Sequence, residues 1–257
     1  MDQIIWEWVR LMPLVVIIIK IMNIEVFTLT YNNEKMLRYF LRHYSTFCSK
    51  ITVFDNQSTD NTVDVAKEYG AEVIEYDTNN TFDEATLVSI CNSCWKESKA
   101  DWVIIVAVDE FVYHPEIIKA LEKVNATTIY LPFYNMFAEK FPETYGQIYD
   151  EVVMGTLGQW GKALSMFRPS ALSSTNYDPG GHGAKPIGNI TIEQNSGIKI
   201  LHMSCLGKDF VREHHRIGAS RLSEQNKLNE WGSHYNQPEE EWGQLYDKQL
   251  ALAIKII

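Results

Sequence analysis

The chain has 257 residues, of which 46% are hydrophobic and 22% are charged. This composition is ample for a full hydrophobic core, and it excludes an intrinsically disordered tail, a collagen-like repeat and a small disulfide scaffold. Lys and Arg number 23 against 33 Asp and Glu, which gives a formal net charge of −10. Because such an acidic chain lacks the electrostatic footprint of a duplex nucleic-acid binder, we expect no nucleic-acid partner.

An apolar segment, LMPLVVIIIKIM, lies near the start of the chain at residues 11–22. The segment is shorter than the ~20 residues that span a bilayer, and Lys20 interrupts it. It also lacks the basic start and the cleavage site of a secretory signal. We interpret residues 1–22 as an extension that adds little, and leave open a peripheral membrane contact through residues 11–22 or an interface with another protein.

The cysteines indicate the compartment rather than a metal module. Cys91 and Cys94 form one C-x-x-C pair, but Cys48 and Cys205 do not form the second pair that a familiar zinc module needs. Free thiols indicate a reducing compartment. We therefore expect a cytoplasmic protein, with membrane association left open.

The first half of the chain alternates between strand and helix patterns. Runs of β-branched and aromatic residues predict strands at Ile24–Thr30, Ile51–Asp55, Ala71–Asp77 and Asp101–Phe111. Helices are predicted between them, with Asn33 capping the first and Gly70 ending the second. The progression predicts an α/β fold with a mostly parallel central sheet, helices on both faces, and ligands at the carboxyl ends of the strands.

The second half is less regular. Strands are predicted in TIYLPFYNMFAE, GKALSMFRP and IKILHMSC, and helices in VREHHRIGASRLSEQNKL and EEEWGQLYDKQLALAIKII. The segment SSTNYDPGGHGAKPIGNI is rich in Gly, Pro, Asn and Asp and predicts a long loop. Because no repeat or low-complexity linker is present, we expect a single domain over residues 23–257.

Polar residues cluster at the carboxyl ends of three of the predicted strands. They are Thr30, Tyr31 and Asn32; Asp55, Asn56 and Ser58; and Asp109 and Glu110. Clusters that converge at one edge of a parallel sheet form a nucleotide-sized crevice. Helix capping also explains Ser58, but a carboxylate that ends an apolar strand, as in Asp55 and Asp109, needs a partner. The sequence has no G-x-G-x-x-G after the first strand and no Walker A motif, which disfavours a dinucleotide-binding domain and a P-loop NTPase.

These residues carry a resemblance to a known family. TYNNEKMLRYFLRHYSTFCSKITVFDNQSTDNT, followed by DWVIIVAVDEF, resembles the start of a GT-A-fold glycosyltransferase of the family 2 type. The segments WGKALSMFRP, NYDPGGHGAKPIG, ILHMSC and ASRLSEQN resemble a bacterial and viral subgroup. The resemblance implies an inverting transfer of a sugar from a nucleoside-diphosphate donor to a glycan or lipid-linked acceptor. It also implies a nucleotide-sugar half at about 23–112 and an acceptor half at about 113–257.

The resemblance implies site residues as well. Thr30, Tyr31 and Asp55 would hold the base and ribose, and further nucleotide-binding candidates are Asn33, Asn56, Ser58, Lys162 and Arg221. Arg221 follows Arg212 and Arg216 on one predicted helix, where the three either face a diphosphate or form a solvated surface. Mn²⁺ or Mg²⁺ would bind Asp109, with Glu110 and His202 as further ligands. His202 is equally well explained as a packed, hydrogen-bonded histidine.

One position departs from the family pattern. The D-x-D motif of such enzymes has two aspartates, and this chain has Ala107 in place of the first and Asp109 as the second. Either the site works with Asp109, Glu110 and water, or the protein is a catalytically weakened nucleotide-binding relic. A sugar nucleotidyltransferase is a further alternative, which the lack of an early Gly-rich, Arg/Lys-containing loop disfavours.

An inverting transfer also needs a general base for the acceptor hydroxyl. The loop NYDPGGHG offers two equal candidates, Asp178 and His182. Asp178 alternatively makes a turn with Pro179, and Glu213 is a third position for the base.

Overall fold

The structure is a computed structural model that describes residues 22–158, 161 and 163–257. The strands in this part of the chain are β1 (Ile24–Thr30), β2 (Lys50–Asp55), β3 (Glu72–Glu75), β4 (Trp102–Ile105), β5 (Glu110–Tyr113), β6 (Thr128–Ile129), β7 (Phe133–Ala138), β8 (Met154–Leu157), β9 (Met166–Phe167), β10 (Leu172–Ser174), β11 (Ile187–Gly188), β12 (Ile192–Glu193), β13 (Lys199–Leu206) and β14 (Ile254–Lys255). The α-helices are α1 (Glu34–Tyr44), α2 (Thr62–Glu68), α3 (Glu84–Ser93), α4 (Ile117–Glu122), α5 (Lys208–Arg221), α6 (Glu224–Leu228) and α7 (Glu239–Leu252).

A seven-stranded sheet forms the centre of the fold, in the order β12-β6-β9-β4-β1-β2-β3. β1 is parallel to β2 and β4, and β2 is parallel to β3. Alternate residues of β1 enter two hydrophobic clusters, because successive side chains of a strand point to opposite faces. Val26 packs in a cluster with Phe40 of α1, and Phe27 packs in the other with Trp95, which follows α3. The prediction of an α/β fold with a mostly parallel central sheet is confirmed.

The predicted fourth strand is wrong in one respect. Asp101–Phe111 is not continuous: β4 ends at Ile105, and β5 begins at Glu110 in a second sheet of order β14-β8-β7-β13-β5. A turn makes the break, because Glu110 N donates to Ala107 O at 3.0 Å and the Glu110 carboxylate accepts from Ala107 N at 2.8 Å. Asp109 therefore lies at the junction between the two sheets.

A polar clasp joins the end of α5 to the loop before α3; we define it as Arg221–Asn226 with Phe82–Glu84. Phe82 N donates to Arg221 O at 2.5 Å, and Ser223 N donates to Phe82 O at 3.0 Å. Asn226, which is fully buried, accepts from Glu84 N at 3.0 Å. The clasp thus brings a segment from late in the chain to the edge of the first sheet.

Some further predictions are corrected. Asn33 precedes α1, but its side chain does not cap the helix; it donates to Tyr31 O at 3.0 Å instead. The predicted helix around residues 211–228 is divided at Leu222 into α5 and α6, and the predicted long loop contains the β10–β11 pair.

None of the described helices is long and apolar enough to cross a membrane. Residues 11–22, for which a peripheral membrane contact was left open, lie almost entirely outside the described part of the chain. Met22 is described and packs against the larger hydrophobic cluster.

Candidate active site

The carboxyl ends of β1 and β2 form the floor of the candidate site. Thr30 and Asp55 are paired in the parallel register, and Asn56 N donates to Thr30 O at 3.0 Å. Both side chains are buried, with 5% of Thr30 and 1% of Asp55 exposed. The predicted meeting of these two polar strand ends is therefore what the structure shows.

Two oxygen atoms at this floor lack a hydrogen-bond partner among the described residues. Asp55 Oδ2 accepts from Ser58 N at 2.8 Å, but Asp55 Oδ1 and Thr30 Oγ1 are buried with no such partner. A buried acceptor without a partner costs free energy, on the order of 1–3 kcal/mol, more when the group is charged. The floor is therefore suited to a ligand that donates hydrogen bonds.

Arg221 closes one side of this floor. Its guanidinium carbon lies 3.2 Å from the centre of the Tyr31 ring, and its Nη2 donates to Asn56 Oδ1. Nε donates to Asn80 O at 3.3 Å. Burial lowers the pKa of Arg221, while Tyr31, Tyr76 and Asp55 act in the opposite direction. Arg221 stays a cation, because a guanidinium group does not lose its proton in proteins, and it is suited to a flat or anionic ligand.

The other arginines of α5 do not share this position. Arg212 pairs with Asp209 and Glu239, and Arg216 pairs with Glu213. Both side chains are exposed to solvent. Of the three predicted arginines, Arg221 alone reaches the floor of the site, and the other two form the solvated surface that was the alternative. Glu213, the third position considered for the base, lies in this surface.

Two further nucleotide candidates tie loops together. Ser58 Oγ accepts from Asn32 N, and Asn33 N donates to Thr62 Oγ1, each at 2.8 Å. These bonds hold the turn after β1 against the loop after β2 and the first residue of α2, so Ser58 and Asn33 tie these segments together at the edge of the floor. Lys162 lies outside the described residues.

Asp109 and His202 form a pair at the junction of the sheets. His202 Nε2 lies 3.3 Å from Asp109 Oδ2, and both side chains are mostly buried. Burial opposes ionisation of the Asp109 carboxyl, but attraction to His202, its hydrogen bond and a smaller contribution from His214 together lower the pKa of Asp109 to about 2. Asp109 is therefore an ionised oxygen donor beside an imidazole nitrogen.

The third predicted metal ligand does not join this pair. The Glu110 carboxylate accepts the bond from Ala107 N, and only 2% of the residue is exposed. Within residues 22–158, 161 and 163–257, no group of three or more His, Cys, Asp or Glu side chains is arranged to hold a metal ion. Among the described residues, two ligand atoms are therefore available here, and Glu110 shapes the turn that carries Asp109.

The two candidate bases lie on one short loop. Asp178 immediately precedes a 3₁₀ helix (Pro179–Gly181), and its N–H donates to Gly183 O at 2.9 Å. Lys185 Nζ lies 3.9 Å from Asp178 Oδ1. His182 is exposed, and its Nδ1 lies 3.2 Å from Gly161 O. The turn role considered for Asp178 is therefore present, and the structure leaves both residues as candidates.

Two residues at the site were missed from sequence. Asn135 Oδ1 lies 2.9 Å from His202 Nδ1. The Glu84 carboxylate accepts from Gly180 N in the loop that carries both candidate bases. Nothing local marks either residue, because each contact joins segments that are distant in sequence.

The sequence model of glycosyl transferase family 2 matches residues 25–172, more than half of the chain. The structure of TarS from S. aureus is similar, with 16% identity and a TM-score of 0.46, covering 82% of this chain and 43% of TarS. A glucosyl-3-phosphoglycerate synthase from Mycobacterium tuberculosis, in complex with Mn²⁺, UDP-glucose and phosphoglyceric acid, has 17% identity and a TM-score of 0.44, covering 79% and 81%.

The chain spans less than half the length of TarS. Among curated proteins, none matches it.

Proposed function

The chain belongs to glycosyl transferase family 2, and from this premise we propose that it is a metal-assisted, inverting enzyme. Its donor would be a nucleoside-diphosphate sugar, and its acceptor a hydroxyl group of a glycan or of a lipid-linked glycan. The observation that carries the proposal is a pair of buried oxygens at the floor of the site, Asp55 Oδ1 and Thr30 Oγ1, which have no hydrogen-bond partner among the described residues.

The floor fits the nucleoside part of the donor. Asp55 Oδ1 and Thr30 Oγ1 accept hydrogen bonds from the N–H groups of the base or from the ribose hydroxyls. These bonds remove the free-energy cost of burying the two oxygens without a hydrogen-bond partner. Arg221 and Tyr31 supply a cation and a flat surface beside them. Asn56 holds Arg221 in place, and Ser58 holds Asp55.

The Asp109–His202 pair fits a divalent cation. Two ligand atoms that each lie ~2.1 Å from one ion are roughly 3 Å apart, and Nε2 and Oδ2 are separated by 3.3 Å. An ion bound there would neutralise the diphosphate and stabilise the departing nucleoside diphosphate. Mn²⁺ is a stronger candidate than Mg²⁺, because one of the two ligand atoms is an imidazole nitrogen.

The acceptor is proposed to bind near the loop of residues 178–183. Asp178 or His182 would take the proton of the acceptor hydroxyl as it attacks the sugar. Glu84 would hold the loop through Gly180 N. Since Arg221 and His202 both belong to the second half of the chain, the donor site is built from both halves of the single domain that we propose for residues 23–257.

A second function is favoured by two features of the metal site. Ala107 lies where the family has the first aspartate of its D-x-D motif, and the described residues supply a metal with only two ligand atoms. A protein that binds the nucleotide and has lost turnover would show both features. We keep this relic as the alternative.

The test is calorimetric titration of UDP, GDP and dTDP, each with and without Mn²⁺. We expect one nucleotide to bind, more tightly with Mn²⁺, and Asp109→Asn to abolish the effect of the metal. The matched control is Asp64→Asn, which changes an exposed carboxylate of α2 and should bind as the wild type does. Failure of the wild type to bind any of the three nucleotides would contradict the proposal.

The relic is distinguished by turnover. For an active transferase, we expect slow hydrolysis of the matching nucleotide sugar that depends on Mn²⁺ and releases the sugar. Binding without hydrolysis in the wild type, together with hydrolysis in Ala107→Asp, would favour the relic.

A further inference from the structure

The two ring nitrogens of His202 have different neighbours. Nε2 lies 3.3 Å from Asp109 Oδ2. On the other side of the ring, Nδ1 lies 2.9 Å from Asn135 Oδ1 and 3.2 Å from Ser204 Oγ. The amide oxygen of Asn135 is the nearer of these two partners.

The second sheet fixes this arrangement. His202 lies in β13, paired with Glu110 of β5 on one side and with Asn135 of β7 on the other. Phe133 and Asn135 are two residues apart on β7 and so point to the same face. The Phe133 ring packs against the imidazole with the ring centres 4.9 Å apart, while Asn135 bonds to its edge. Both the plane and the rotation of the imidazole are therefore set by β7.

The bond to Asn135 decides which nitrogen carries the proton of a neutral imidazole. An amide oxygen only accepts hydrogen bonds, so Nδ1 must donate, and Nε2 then has a lone pair. This lone pair faces the Asp109 Oδ2 atom at 3.3 Å. Lone pairs on two atoms at this distance repel each other unless a proton or a metal cation lies between them, and in the proposed complex the divalent cation takes that place.

Without Asn135, the opposite tautomer becomes favourable. The proton would then reside on Nε2 and be donated to Asp109 Oδ2. This hydrogen bond would occupy the electron pairs with which Nε2 and Oδ2 would otherwise bind a cation. A cation would have to break this bond and move the proton before it could bind. Histidines that bind metals in proteins generally donate their second N–H to an oxygen acceptor for this reason.

We propose that Asn135 is a positioning residue that holds His202 in the tautomer with Nδ1 protonated, so that Nε2 and Asp109 bind one divalent cation together. The inference rests on the proposed function, because it takes the metal site given there as its object. Asn135 itself does not touch the cation. Ser204 has a lesser part, since its hydroxyl is farther from Nδ1 and also contacts Cys205 Sγ at 3.7 Å.

The first experiment measures Mn²⁺ alone, by electron paramagnetic resonance titration of the free ion. We expect Asn135→Leu to weaken Mn²⁺ binding by about 10–100-fold. Asn135→Asp, which keeps an oxygen acceptor for Nδ1, should bind Mn²⁺ at least as tightly as the wild type. The control is Thr156→Val, on the neighbouring strand opposite Asn135. It should bind Mn²⁺ as the wild type does, because the Thr156 hydroxyl has no hydrogen-bond partner among the described residues.

The second experiment needs no metal. With ¹⁵N-labelled histidine, under alkaline conditions in which the imidazole is neutral, the His202 signals should show a protonated Nδ1 in the wild type and in Asn135→Asp. They should show a protonated Nε2 in Asn135→Leu, or in Asn135→Ala if the leucine variant does not fold.

The outcomes separate this inference from the proposed function. An unchanged His202 tautomer in the leucine or alanine variant overturns the role of Asn135, and so does Mn²⁺ affinity within twofold of the wild type. A wild type that shows the expected tautomers but binds no Mn²⁺ contradicts the metal site, and with it the purpose that we assign to Asn135.

Discussion

Mild acid should destabilise the protein through His43, which lies buried on α1 with 3% of its surface exposed. Its Nε2 bonds to Val112 O at 3.0 Å, and its Nδ1 bonds to Tyr149 Oη at 3.2 Å. A carbonyl oxygen only accepts, so Nε2 donates, and Nδ1 accepts the tyrosine proton. Burial lowers the pKa of His43 from 6.5 to about 4, while the bond to Val112 acts in the opposite direction.

The size and sign of the effect follow from this pKa. Between pH 6.5 and pH 4 the unfolded chain takes up a proton at His43 that the folded chain does not, so stability falls as the pH falls. The whole difference is worth about 3 kcal/mol, at about 1.4 kcal/mol for each pH unit. From pH 7.5 to pH 5 the loss is about 2 kcal/mol.

The assay is urea denaturation of the wild type and of His43→Gln at several pH values. We expect the wild type to be more stable at pH 7.5, and its advantage over the variant to shrink by about 2 kcal/mol at pH 5. The control, His114→Gln, changes a partly exposed histidine after β5 and should follow the wild-type curve. If the wild type and His43→Gln keep a constant difference across this range, His43 is not the group responsible and the reasoning fails.

Two other predictions concern the fold and the site. Gly207→Ala should cost about 2–5 kcal/mol in denaturation experiments, because Gly207 has φ +93° and an added Cβ would lie 2.8 Å from Lys140 Cα. Gly70→Ala, at φ +73° with open space around it, should cost only about 1–2 kcal/mol, and equal costs would contradict the role of the close approach. Arg221→Met should weaken binding of the matching nucleotide about tenfold, or about 1.4 kcal/mol. Arg216→Met on the same helix should not, and equal losses in calorimetry would show that Arg221 acts only through net charge.

The first sheet could be predicted because its signals are local. Buried runs of β-branched residues define β1 and β2, and the polar residues that follow them meet because carboxyl ends of parallel strands share one edge. Thr30 and Asp55 were placed correctly by this argument. The helix of residues 34–44 was equally clear, since its apolar residues recur with helical spacing.

The junction at Asp109 could not be predicted in the same way. Val106 and Val108 continue the apolar pattern of β4, and no Gly or Pro marks a break. The turn depends on the Glu110 carboxylate bending back to Ala107 N, which a strand pattern does not reveal. The same residue was predicted as a metal ligand because it follows Asp109 at the end of the predicted strand and the family resemblance implies a metal there.

The partners of His202 and Arg221 escaped prediction because they depend on distant pairing. Asn135 meets His202 only when β7 pairs with β13. Arg221 differs from Arg216 because α5 ends at the clasp, which helical spacing alone does not show. Both His202 and Arg221 also lie beyond residues 25–172, the part that the family pattern matches.

The clasp also sets when the site can first exist during synthesis. It joins Glu84 to Asn226, 142 residues later in the chain. At about 5–20 residues per second, a ribosome needs on the order of 10 s to make the intervening segment. During that time the first strands can fold, but Arg221 is not yet beside Tyr31 and the floor is open on that side. A nascent chain therefore acquires its nucleotide site late, after most of the first sheet has been made.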